Sequence, residues 1–253
     1  MKKMVMFVLS GVIAGVAVFA SAAETDATSP SLTQFDEDLA VCRRVLREYC
    51  AIVQKMTPQP AVDEAQQAEG LRLLRDARRQ WPDIQARYAA NPPAEYARDK
   101  AFKARLRDVA NSMEDMEEAL AAGDARRSFQ ACGFACGLFV HMHEQNGLNY
   151  ALDKLFHLRA DIKTTAAVMK TGGMDGVRTR LPGLLQKRDA VLLAPPPFPA
   201  GHEKAAAYLA AVEELSRAMD RLALAVAAGD MKQVEQILAD GLSLVNKPYG
   251  LAL

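Results

Sequence analysis

The chain is 253 residues long, 50% apolar, and carries 31 basic and 31 acidic residues. That length allows one large or two small domains, each able to bury a core. The balanced charge argues against a nucleic-acid or anionic-lipid partner, and no glycine-rich phosphate loop, nucleophile elbow or paired-carboxylate motif points to an enzyme.

Behind Lys2 and Lys3 the chain is apolar from Met4 to Ala20, and Ala20-Ser21-Ala22 or Ser21-Ala22-Ala23 fits the small-x-small cleavage rule. Residues 1–22 are predicted to be a secretory signal, cleaved near Ala22 or Ala23. It would deliver the chain to the periplasm with no membrane attachment left. Removing Lys2 and Lys3 from 31 basic residues leaves 29 against 31 acidic ones, a net charge of −2.

The remainder reads as helix. Segments are predicted at 33–56, 62–90, 95–121 and 124–145, separated by the breaks "TPQP" at Thr57, "NPPA" at Asn91 and "AGD" at Ala122. In the third, Phe102, Leu106, Val109, Met113, Met116 and Leu120 form one apolar stripe at helical spacing. Four more segments are predicted at 150–170, 175–193, 201–228 and 230–247, with "TGGMDG" at Thr171 as the first break.

"AAGD" at Ala121–Asp124 returns at Ala227–Asp230. The same offset pairs Phe102 with Tyr208, Leu106 with Val212, Val109 with Leu215, Met113 with Met219 and Met116 with Leu222. Gly123 and Gly229 suit helix C-caps, and Asp124 and Asp230 the next N-caps. The predicted fold class is all-α: two tandem up-down-up-down four-helix bundles related by internal duplication. One copy spans 31–147 and the other 148–253, their short connections forcing antiparallel neighbours.

The chemistry-bearing residues gather in the first copy. "CGFACGLFVHMHE" from Cys132 to Glu144 holds two cysteines and two histidines. Phe129, Cys132, Cys136, Phe139 and His143 share one face, whereas His141 lies about 160° from His143 around the helix. On the first helix, Leu39, Cys42, Leu46, Tyr49 and Val53 form the matching stripe, with Cys50 at its edge. In an antiparallel bundle Cys42 falls level with Cys136 and Cys50 with Cys132, so these four are disulfide candidates; one bridge is easy and two need some adjustment. Cys42 and Cys50 lie ~12 Å apart along their helix, which excludes one zinc held by all four sulfurs. Met113 is level with Cys132, and a Cys and Met cluster suits Cu(I). The second copy has Leu238, Leu242 and Tyr249 where the first has Cys132, Cys136 and His143. Three readings of the sulfur therefore stand side by side: a disulfide staple, a metal or haem role, and plain packing.

The segment "MEEALAAGDARRSFQACGFACGLFVHMHE" resembles the last two helices of the cytochromes c-prime and the soluble b-type four-helix cytochromes. In those families a histidine about twenty residues after the turn glycine ligates haem; here that position is His143. The family's Cys-x-x-Cys-His attachment motif is not present, since Cys132 and Cys136 are spaced Cys-x-x-x-Cys with Gly137 after them. At the level of the b-type methionine ligand stand Phe35, Asp36 and Leu39. The resemblance implies a non-enzymatic periplasmic protein that binds haem or a soft metal such as copper. His143 would be the cofactor ligand and Cys132, Cys136, His143 and Met113 the metal set, for electron transfer or metal handling with a periplasmic redox partner. The alternative is a haem-free, disulfide-stapled helical scaffold that binds a partner protein. Either is compatible with a homodimer.

Overall fold

The computed structural model describes residues 30–57, 63–199 and 201–253. The predicted secretory signal lies outside these. Among the described residues the chain is all helical. Its elements are α1 (Leu32–Met56), α2 (Glu64–Tyr88), a short 3-10 turn (Ala94–Tyr96), α3 (Phe102–Ala121), α4 (Ala125–Gln145), α5 (Ala151–Leu193), α6 (Ala205–Ala228) and α7 (Met231–Leu251). No described helix is long and apolar enough to cross a membrane.

The helix starts reflect local chemistry. The side chains of Ser31, Asp63, Asp124 and Asp230 accept from the backbone N–H of Gln34, Gln66, Arg127 and Gln233, satisfying donors that a helix start leaves bare. The two Ala-Ala-Gly-Asp turns are built alike. Gly123 (φ 79°) and Gly229 (φ 72°) both take the left-handed conformation, and Asp124 N–H and Asp230 N–H donate to Ala119 O and Ala225 O.

Two predicted starts shift. The segment expected from 95 becomes the 3-10 turn, and α3 begins at Phe102, because Asp99 accepts from Ala101 N–H and interrupts the helix. The segment expected from 201 begins at Ala205, after Gly201 (φ 87°). At the other end, α7 continues through Pro248 to Leu251, beyond the expected stop at 247.

The break expected at "TGGMDG" falls inside α5, where Gly173 adopts φ 57°, ψ −152°. The chain folds back on itself there. Asp161 pairs with Lys187 at 2.7 Å, although 26 residues of straight helix would hold them ~39 Å apart. A Cβ on Gly176 would come within 2.5 Å of Val168 Cγ1, so a small residue is required where the two arms touch.

Helices α1 to α4 pack in order, with α4 closing back on α1. They enclose one core that includes Phe35, Leu39, Cys42, Leu46, Tyr49, Trp81, Met113 and Phe139. Trp81 is buried and donates its indole N–H to Leu106 O at 2.9 Å, which makes it a packing anchor with a satisfied polar end. Helices α5 to α7 enclose a second core, built around Leu155, Ile162, Val177, Leu215, Met219, Leu222 and Val245. The predicted α3 stripe and its partners Tyr208, Val212, Leu215, Met219 and Leu222 are all buried.

Candidate sulfur and arginine site between the two cores

α1 and α4 lie side by side, and their facing stripes bring cysteine to cysteine. Cys50 and Cys132 are disulfide-bonded, with Cα atoms 6.2 Å apart, inside the range a bridge tolerates. Cys136 is one turn further along α4, and the sulfurs of Cys50, Cys132 and Cys136 all lie within 4.8 Å of one another. Cys42 and Cys136 carry free thiols, so the second bridge considered from the sequence is not made. Cys42 is fully buried, and that burial pushes its thiol up to about 12, partly opposed by the charge of Arg43. The Cys136 thiol is also pushed up by burial, with Arg43 and Arg159 acting against it.

The sulfur cluster opens onto a cleft of about 190 Å³ between the two cores. α1 contributes Arg43, Arg47 and Cys50, α4 contributes Phe129 and Cys136, α5 contributes Phe156 and Arg159, and α7 contributes Asn246 and Tyr249. Arg47 donates to Asn246 O at 3.3 Å and stacks over Tyr249, its guanidinium carbon 5.1 Å from the ring centre. Arg159 donates to Asn246 Oδ1 at 2.9 Å and Gln54 Oε1 at 3.3 Å. Arg43 lies over Phe139 at 5.3 Å. Burial raises the Tyr249 hydroxyl, with the Cys136 charge adding and the three arginines opposing.

His143 is not part of this cluster. It is buried on the last turn of α4, and its Nδ1–H donates to Asp153 Oδ2 on α5 at 2.7 Å. Three buried polar atoms in this region have no hydrogen-bond partner among the described residues: His143 Nε2, Asp153 Oδ1 and Tyr96 Oη. Tyr150 lies 4.6 Å from the His143 ring and donates to Asp36 Oδ2 at 2.5 Å. His143, Asp36, Arg43 and Tyr150 line a second cavity of about 760 Å³, closed in part by Pro195–Pro199.

The predicted metal set Cys132, Cys136, His143 and Met113 thus divides. His143 separates from the others by joining Asp153, the two cysteines join Cys50, and Met113 is buried in the same core as Cys132. His141 faces outward as its helical position requires. Sequence reasoning missed Arg43, Arg47 and Arg159, although Arg43 and Arg47 fall one turn apart beside Cys50 on α1, and that spacing is a readable signal. Asp153 and Tyr249 come from distant segments, and no local pattern points to them. No protein-family model, no curated protein and no solved structure matches the chain.

Proposed function

We propose that this is an exported, non-enzymatic protein of two tandem four-helix bundles related by duplication, and that its first bundle handles a soft metal ion in the cytochrome c-prime-like manner of a bundle-borne site. The duplication is supported by the two alike Ala-Ala-Gly-Asp turns and the paired buried stripes. One observation carries the metal reading: three cysteine sulfurs within 4.8 Å of one another. Thiolate donors favour soft ions, Cu(I) among them. With the Cys50–Cys132 bridge reduced, Cys50, Cys132 and Cys136 would hold the ion, and its chemistry would be transfer to a partner or one-electron exchange. A three-thiolate Cu(I) site carries net negative charge, and Arg43, Arg47 and Arg159 stand around it to offset that charge. With the bridge closed, the same chain is the stapled scaffold. The test is titration of the fully reduced protein with Cu(I) in competition with a chelator. One tightly held ion per chain is expected, and none in the oxidised protein or in Cys136→Ser; weak binding in the reduced protein refutes the reading.

A specific observation favours haem as the second reading. His143 Nδ1 is fixed by Asp153, and Nε2 is buried without a partner beside the larger cavity. A carboxylate on the far nitrogen is the usual way a ligating histidine is oriented. Haem would supply redox chemistry or gas binding there. A Soret band that disappears in His143→Ala supports it, and a colourless protein after haem addition excludes it.

A further inference from the structure

The arginines of the cleft between the two cores have a second consequence, which holds with the sulfur bridge closed. Arg47 and Arg159 have no carboxylate within ion-pair distance among the described residues, and Arg43 has only Asp153 Oδ1 at 4.0 Å. Their hydrogen-bond partners are a carbonyl and two side-chain amide oxygens. Several arginines outside the cleft do pair with acids: Arg72 with Glu69 and Asp76, Arg87 with Asp38, Arg188 with Asp189 and Asp220. In a chain of balanced charge, three guanidinium groups gathered in a partly desolvated cleft oppose folding unless an anion joins them. Burial lowers the Arg47 guanidinium from its ordinary value, with Tyr249 opposing that shift and the charge of Arg159 adding to it.

The rest of the lining is not phosphate-like. Phe129, Phe139, Phe156 and Leu46 supply apolar walls, and the Tyr249 ring forms part of the side facing α1. A few convergent polar groups on an apolar cleft are the usual construction of a small-molecule site. Guanidinium groups match a planar carboxylate through paired N–H donors.

We infer that the cleft walled by α1, α4, α5 and α7 binds a small organic acid, one carboxylate on an aromatic or compact apolar body. The carboxylate sits between Arg47 and Arg159, and the body lies against Phe129 and Phe156. The site goes beyond the metal reading and stands without it, because it requires neither free thiols nor an ion.

The test uses the oxidised full-length protein, in which the closed bridge prevents metal binding at the sulfurs. Benzoate is titrated and followed by calorimetry and by amide chemical shifts, with benzamide as the uncharged isostere. Saturable benzoate binding is expected, at least about tenfold tighter than benzamide, a factor corresponding to roughly 1.4 kcal/mol. Arg159→Gln and Arg47→Gln are each expected to weaken benzoate about tenfold or more, and Arg44→Gln, exposed on the same helix, to leave it unchanged. Far-UV circular dichroism verifies that the variants fold. In the wild type alone, rising salt is expected to weaken benzoate and leave benzamide as it was. Equal binding of acid and amide, no saturable binding of benzoate, or wild-type affinity in both cleft variants overturns the inference. Because the metal is never added, these outcomes do not bear on the Cu(I) reading.

Discussion

His143 on α4 and Asp153 on α5 are joined by a 2.7 Å hydrogen bond with both side chains buried, linking the helices of the first core to those of the second. Among the described residues, the other basic group within ion-pair distance of Asp153 is Arg43, at 4.0 Å. Removing one member of such a pair strands the other in a desolvated place. His143→Ala is therefore expected to lower the free energy of unfolding by about 3 kcal/mol in urea titrations. His157→Ala, which removes a partly exposed contact to Glu144, is expected to cost less than about 1 kcal/mol. Equal costs for the two would mean that the buried pair does not hold the halves together.

Asp36 gives the pH dependence of the same region. Burial raises its carboxyl above the ordinary 3.8, against the opposing effects of the Tyr150 hydrogen bond and the charges of His143 and Arg43. A raised carboxyl binds its proton more tightly when folded, so its contribution to stability falls as pH rises from 3.8 through the folded value. Asp36→Asn keeps an oxygen for the Tyr150 hydroxyl and removes the titration. The variant's stability relative to wild type is expected to increase from acid to neutral pH, measured by urea unfolding at several pH values. A constant difference contradicts this.

The disulfide spans a sequence separation of 82 residues. Loop closure of that length restricts the unfolded chain by about 4.5 kcal/mol. Cys50→Ser combined with Cys132→Ser is expected to destabilise by an amount of that order. Alkylation of the oxidised protein under denaturation is expected to label Cys42 and Cys136 alone, read by peptide mass. Labelling at all four cysteines would show the bridge unformed.

Much of the fold was legible in the sequence, and the reasons differ from element to element. The stripe from Phe102 to Leu120 and the facing cysteines come from helical periodicity and antiparallel register, and these two facts place Cys50 against Cys132. The Gly-Asp turns were readable because only glycine accepts the backbone angle and aspartate caps the next helix. The start of α3 was not, since Asp99 acts through one hydrogen bond that no periodicity reports. The arginine cleft was also hidden, because Arg159 and Tyr249 reach it from helices far along the chain. The metal set expected from spacing failed to converge on one point for a simple reason: His143 is two turns beyond Cys136, ~10 Å along the helix axis.

Gly173 tests the hairpin inside α5. Its φ of 57° with ψ of −152° lies in a region that side-chain-bearing residues avoid. Gly173→Ala is expected to cost about 1–3 kcal/mol of stability, with far-UV circular dichroism nearly unchanged because both arms remain helical. A neutral effect would contradict the backbone turn described for this position.

The proposed function depends most on the sulfur cluster. X-ray absorption at the copper edge, on reduced protein loaded with one equivalent of Cu(I), reads the donor atoms directly. Three sulfur scatterers and no nitrogen are expected, with the signal lost in Cys136→Ser. A first shell containing nitrogen or oxygen, or copper retained equally by Cys136→Ser, would contradict the assignment to Cys50, Cys132 and Cys136.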